Sequence, residues 1–253
     1  GGMPVSTTGA LVQGYTDYKN NIEKNKEISS QITKGTGAYA REHQYETKIQ
    51  SFNTRIDEGI NNGSISKEDG KILKDSYHSI QRTSQENKSL LDQQYKGLTT
   101  KLNKAKKDNN QQEVSSLQAQ MKTSQKVYST IDTMNSQLDK LFDKAIKNNN
   151  TSNLKIAMDE FQKQLHSNNV KLGETGLNLN KSFFGEESTT LFSNMRDIFE
   201  KNNIATKQEF NYMIKQSMKE TKDYKKNLNN KEQEKTDNNI ETEVSNQKSK
   251  EQE

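Results

Sequence analysis

The sequence contains no cysteine and no tryptophan, and only one proline. Without cysteine the chain cannot form disulfides, thiolate metal sites or a cysteine nucleophile. Proline is the residue that most often interrupts a helix, so its near absence permits long unbroken helices. No apolar run approaches the roughly 18 residues that a membrane-spanning helix needs, so we expect no transmembrane segment.

Apolar residues make up only 28% of the chain, and the mean hydropathy is −1.18. This share lies well below the 45–50% or so of ordinary globular domains. It favours long helices around a thin core. Disorder of the whole chain would give a similar composition, but the apolar residues recur too regularly for that.

The net charge of +4 is unevenly distributed, because residues 229–253 carry four lysines and seven acidic residues, a net −3. The other residues therefore carry +7. Their lysines alternate with acidic residues and no aromatic platform accompanies them, so we expect no nucleic-acid partner.

The stretch from Val114 to Ile146 organises the chain, because its apolar residues fall into one heptad frame. We expect this narrow stripe to be buried against long partner helices, the first helix of the chain among them. Asn135 interrupts the stripe and either fixes the helix register or faces water. The stripe consists of Val114, Met121, Tyr128 and Phe142 at one heptad position and Leu117, Ile131, Leu138 and Ala145 at the other.

A polar stretch over 106–113 precedes this helix, and the upstream heptad frame does not continue across it. The sequence favours a hairpin turn here. The alternative is one continuous helix of about 80 residues.

The fold class is predicted to be all-α: an elongated antiparallel helical bundle or coiled coil with a small helical appendage and a disordered C-terminal tail. Every apolar run has a helical period and none alternates as a strand does. The expected organisation is an extended N-terminus over 1–9, a long helical bundle over 10–150, a small helical lobe plus a final bundle helix over 151–228, and a disordered charged tail over 229–253.

Three histidines, His43, His78 and His166, lie far apart in the sequence, whereas a zinc site needs three or four converging ligands. Residues 58–69 resemble half of an EF-hand loop, but Ile60 stands where the third ligand belongs. A helix–turn–helix with Ser66 as a cap is the preferred interpretation. We expect no catalytic residue, no metal and no cofactor, and therefore no enzyme.

One irregular stretch, Val170 to Gly185, mixes apolar residues with glycine and asparagine. Such a segment at the end of a bundle is where a binding surface commonly lies, although a plain connection between helices is the alternative. The predicted partner-binding residues are Leu172, Leu177, Leu179, Phe183 and Phe184.

The N-terminus resembles the start of mature minor pilins of the VirB/TraC type, which belong to type IV secretion and conjugation systems. The resemblance rests on Gly2-Met3-Pro4-Val5, on a heptad helix from Leu11 to Ile32 and on the turn Thr36-Gly37. It implies a cleaved leader, a long helical bundle and a pilus-tip subunit. Such a subunit acts in pilus assembly with other subunits of the apparatus and contacts a recipient or host cell surface.

Two other classes stay open: a type III secreted tip, translocator or effector protein, and a cytoplasmic or phage helical scaffold. Localisation follows the same division. A cleaved leader implies the periplasm or cell surface, whereas a native start at Met3 after an added Gly1-Gly2 implies a cytoplasmic or type III secreted protein.

Overall fold

The computed structural model describes residues 37–173 and 189–221, without the side chains of 37–41, 169–173 and 189. All regular secondary structure in these ranges is α-helical, which confirms the all-α prediction. The predicted extended N-terminus, first helix and acidic tail lie outside the described residues. The described helices are α1 Gly37–Asn61, α2 Lys67–Lys107, α3 Gln111–Lys147, α4 Thr151–Gly173, α5 Thr189–Lys201 and α6 over 207–221.

The helices begin and end at the capping signals of the sequence. Ser66 caps α2 by accepting a hydrogen bond from the Asp69 amide. Thr206 and Glu209 form a reciprocal capping box before α6, with each side chain accepting from the other's amide. After α2, α3 and α5 the chain passes through a left-handed asparagine, a conformation that ends a helix: Asn109, Asn149 and Asn203 have φ of 53°, 52° and 57°.

The polar stretch over 106–113 is a tight turn, so the hairpin prediction is confirmed. α2 and α3 have 41 and 37 residues, which makes each roughly 55–60 Å long. They run antiparallel, as the hydrogen bonds from Gln81 to Asn135 and from Ser124 to Gln94 show.

The stripe of α3 is buried as predicted, except that Met121 and Tyr128 are only half-buried. Among the described helices α3 packs chiefly against α2, because the three-residue turn folds it directly back and adjacent helices in a short hairpin pack together. The first helix of the chain, which we expected among its partners, lies outside the described residues, so that contact stays a prediction.

One apolar core unites the hairpin with the rest of the described chain. α1 packs antiparallel along α2, where Phe52 stacks on Tyr77 at a 3.8 Å centroid separation. Phe161 of α4 and Phe199 of α5 meet edge to face at 6.3 Å. Helices from both sides of residue 150 therefore share this core. Its fully buried members include Ile56, Leu73, Ile80, Leu138, Leu141, Leu154, Met158, Phe161, Leu191, Met195 and Phe199.

A second, separate core lies where α2 and α3 extend beyond the other described helices. It contains Leu98, Leu102, Ala105, Val114 and Leu117, with Met121 packed against them. Contacts such as Lys74–Asp57 and His78–Asn53 set the register of α1 on α2, and they place Gly37 level with about residue 93. We call residues 94–126 the arm.

Candidate functional site

Only one of the predicted partner-binding residues falls on a described element. Leu172 lies in the last turn of α4, where the backbone is described and the side chain is not. Leu177, Leu179, Phe183 and Phe184 lie outside the described residues. Part of the stretch assigned to a loop is helical, since α4 continues through Val170 to Gly173. The partner-binding role of this segment stays a prediction.

A buried polar layer crosses the seam between α2 and α3. Asn135 is 3% exposed, and its Oδ1 accepts from Gln81 Nε2 at 3.2 Å and from Ser84 Oγ at 3.5 Å. Asn135 is therefore buried in the helix seam and does not face water. A buried amide that finds its partners in one register opposes sliding of the helices.

The next layer holds two lysines and one carboxylate. Lys88, with 8% of its side chain exposed, donates to Asp132, and its ammonium lies 5.1 Å from the centroid of the Tyr128 ring. Lys48 of α1 faces the same layer. Burial and then the positive charge of Lys88 lower the pKa of Lys48 to about 8, while Asp132 opposes the shift.

A third polar group lies nearer the α1–α2 turn. Arg55 donates to Asp143 at 2.6 Å and its guanidinium lies 4.5 Å from the centroid of the Phe142 ring. The hydroxyl of Tyr77 is 3.4 Å from Asp139. Burial, followed by the neighbouring charge of Asp143, raises the pKa of Asp139 well above its usual value.

Polar side chains also join α6 to α3. Gln137 is fully buried; it donates to the backbone carbonyl of Phe210 at 3.3 Å and accepts from Ser217 Oγ at 3.1 Å. Thr133 and Thr221 meet at 3.2 Å. Together these layers fix the helices of the body relative to one another.

The histidines stay apart in the fold. His43 and His166 are exposed, and half-buried His78 meets Asn53 at 2.9 Å. Burial lowers the pKa of His78. Within 37–173 and 189–221 no cluster of three or more histidines and acidic residues could hold a metal ion. The EF-hand-like stretch is the Ser66-capped turn, and its Asp69 pairs with Lys155.

A shallow apolar groove opens between α2 and α4. Ile72 and Ile156 line it and are 38% and 49% exposed, and the cavity measures about 260 Å³. Lys155, Asp159 and Lys163 form its rim.

The arm presents a different surface, which is polar and basic. Its outer face carries only lysines as cations, at positions 96, 101, 104, 106, 107, 122 and 126, all exposed. The sequence hides this feature when the lysines are averaged over the whole chain. The signal was present, since these seven positions are opposed only by Asp108 and Glu113.

In the described residues these features define an all-α antiparallel bundle with a two-helix arm that extends beyond the other described helices. In the described ranges no helix is long and apolar enough to span a membrane. Searches of protein-family models, curated proteins and solved structures find no match to the chain.

Proposed function

We propose that the protein is a non-enzymatic structural subunit that works by contact with other proteins. The setting is the one that the N-terminal resemblance implies: a minor pilus component of a type IV secretion or conjugation system. There it would act in the periplasm or at the cell surface, in pilus assembly and in contact with another cell.

The observation that carries the proposal is the division of the described chain into a body and an arm. In the body, six helices bury one large apolar core. In the arm, about 30 residues bury a core of only five side chains. A two-helix projection adds little to the stability of the body. Its effect is to extend the molecular surface by about 20 Å at 1.5 Å per residue, which suits a subunit that must reach a neighbour.

The predicted contact segment starts at the base of this arm. α4 runs parallel to α2 with an offset of about 83 residues, as the contacts Ser79–Gln162 and Asp69–Ser152 show. The C-terminal end of α4 is therefore level with Leu90, where the body gives way to the arm. A partner seated there would contact both surfaces.

The experiment is a double substitution in the full chain, Leu177→Asp with Leu179→Asp. We expect an unchanged melting temperature together with loss of pilus assembly or of capture of the other subunits, because a charge in an apolar contact opposes association. The matched control is Tyr212→Asp with Met218→Asp, two apolar side chains exposed on α6, which should leave both properties unchanged. A double variant that unfolds would place the segment in a core and the contact elsewhere.

The setting is tested separately by the genomic reading frame upstream of Gly1. A hydrophobic leader that ends just before this residue supports the pilus subunit. A reading frame that starts at Met3 would instead favour a type III secreted protein or a scaffold, and the pilus assignment would be wrong.

A further inference from the structure

The arm concentrates the positive charge of the described chain. Residues 94–126 carry seven lysines against Asp108 and Glu113, a surplus of five charges. The described residues outside the arm, 37–93, 127–173 and 189–221, together have a surplus of one. The described part of the chain therefore has a strongly basic end and a nearly neutral body, an arrangement that orients charged molecules in an electric field.

Many lysines of the body pair with an acidic side chain, whereas in the described ranges those of the arm do not. In the body, Lys88, Lys140 and Lys155 pair with Asp132, Glu220 and Asp69. Within the described part of the chain, none of the seven arm lysines forms an ion pair, and all are exposed. Their charges are thus available to an external anion.

Stabilisation of the C-terminal end of α2 explains the presence of only some of the arm lysines. Lys104, Lys106 and Lys107 lie in the last turn of α2, where cations interact favourably with the helix dipole. The effect fades within one turn. It leaves Lys96, Lys122 and Lys126 unexplained, together with Lys101.

The lysines cover the outer faces of both helices. Lys96, Lys104 and Lys107 follow one another at i, i+8 and i+11 on one face of α2, while Lys122 and Lys126 are four residues apart on α3. The inner face is occupied by the arm core. The result is a basic rod whose lysines do not converge on a groove.

This chemistry fits an anionic partner whose charges can move. Recognition of a fixed arrangement of phosphates or carboxylates generally uses arginine, which binds two oxygens at once, and hot spots between proteins are rich in arginine, tyrosine and tryptophan. The arm has no arginine, and no large apolar side chain is exposed in 94–126. Lipid headgroups diffuse laterally, so they can gather beneath scattered lysines without a complementary shape.

We propose that the arm is a peripheral membrane-binding element, which lies on a bilayer surface rich in anionic headgroups. It binds through lysine–phosphate and lysine–carboxylate attraction, with no inserted side chain. This function adds a lipid surface to the protein partners proposed above, and it does not depend on them. The arm meets the membrane first, and the body stays in water.

The test uses the full chain and sedimentation with vesicles of phosphatidylcholine, either alone or with about 30% phosphatidylserine, an anionic lipid. We expect binding to the anionic vesicles only, and a steep loss of binding in high salt, because salt screens exposed charges. The arm variant is Lys96→Gln with Lys104→Gln and Lys107→Gln. Its affinity should fall roughly 100-fold, given the usual contribution of each lysine near an anionic surface.

The matched control is Lys71→Gln with Lys215→Gln and Lys219→Gln, three exposed lysines of the body that form no ion pair within the described residues. It removes the same charge from a different place, and it should bind as the unmodified chain does. Equal losses in the two triple variants would overturn the proposal, since net charge alone would then explain binding. So would the absence of binding to anionic vesicles, or tighter binding to duplex DNA at the same phosphate concentration, which would make a nucleic acid the partner. Loss of pilus assembly in the Leu177 and Leu179 variant bears only on the contact function, so the two proposals fail independently.

Discussion

Asn135 accepts a hydrogen bond from the side-chain amide of Gln81, with Nε2 and Oδ1 3.2 Å apart, inside the seam between α2 and α3. The two side chains are 3% and 4% exposed. Asn135 occupies the same heptad position as Tyr128 and Phe142, where an apolar residue would add more stability. The pair therefore stabilises the fold less than apolar residues would, but it fixes the register of α2 against α3. Another alignment of the helices would leave both amides without partners.

Replacing Asn135 by leucine should destabilise the protein by about 1–3 kcal/mol, since the Gln81 amide would be buried without an acceptor. The double variant Asn135→Leu with Gln81→Leu should recover most of this loss, because two apolar partners leave no unpaired group. Urea unfolding of the single and double variants measures the difference. Gln118→Leu, on the exposed face of α3, is the control and should change stability little. A single variant as stable as the unmodified protein would contradict the role of the pair.

Two positions of the same stripe should respond differently to truncation. Leu138 is fully buried in the main core, so Leu138→Ala should cost about 2–5 kcal/mol. Tyr128 is half-buried at the edge of the main core, and its ring lies beneath Lys88. Tyr128→Ala should cost only about 1–2 kcal/mol. Thermal and urea unfolding give both values, and equal costs would show that Tyr128 is packed more fully than its exposure suggests.

The sequence predicts where the helices lie because their ends are coded locally. Ser66, Thr206 and Asn149 act on backbone groups within four residues of themselves, so they can be read without knowledge of the fold. The apolar stripe is likewise a property of one helix. The all-α class and the hairpin follow from these local signals.

The polar layers could not be predicted in the same way, because they depend on which helices meet. A glutamine such as Gln137 is usually expected at the surface. It is buried here because α6 packs over it and Ser217 donates a hydrogen bond to it. The partner of Lys88 lies 44 residues away. Similarly, the limits of the arm depend on how far α1 reaches along α2. In the described residues it begins at Gly37, level with about residue 93. The predicted contact segment from Leu177 to Phe184 lies outside the described residues and stays a prediction.

Lys48 should make stability depend on pH in the alkaline range. Its pKa is lowered to about 8 in the folded protein from 10.5, so the unfolded chain binds this proton more tightly. Above pH 10.5 the lysine is neutral in both states and does not weaken folding. As the pH falls from there to about 8 the unfolded chain binds the proton first, so the free energy of unfolding decreases. Lys48→Met removes a charge that burial and the neighbouring Lys88 make unfavourable. It should stabilise the protein at pH 7, and the gain should shrink as the pH approaches 10.

Urea unfolding of both proteins at several pH values measures this difference, and taking the difference cancels the titration of the other lysines. The control is Lys71→Met, because Lys71 is exposed and its substitution should give no pH-dependent gain. A constant difference between Lys48→Met and the unmodified protein across the range would show that Lys48 is not perturbed by its surroundings.

The arm should open without unfolding the body. Its five-residue core is separated from the main core by a polar layer, in which Ser124 donates to Gln94 at 3.2 Å. Gly97 lies in the same part of α2 with open space around it, and a helical glycine costs about 1 kcal/mol relative to alanine. A region with few buried contacts opens more readily than one with many. Backbone amides of the arm should therefore exchange with solvent faster than those around Leu138.

Substitutions in the two cores separate local from global opening. Leu102→Ala should speed exchange in residues 98–121 while it leaves the unfolding midpoint of the body unchanged, because Leu102 belongs to the arm core and not to the main core. Leu138→Ala should speed exchange in the body and lower the midpoint, with little effect on exchange in the arm. Gly97→Ala should slow exchange in the arm, because no side chain obstructs the added methyl group and alanine favours the helix. If Leu102→Ala lowered the global midpoint as much as Leu138→Ala, the two cores would be one cooperative unit and the arm would not be independent.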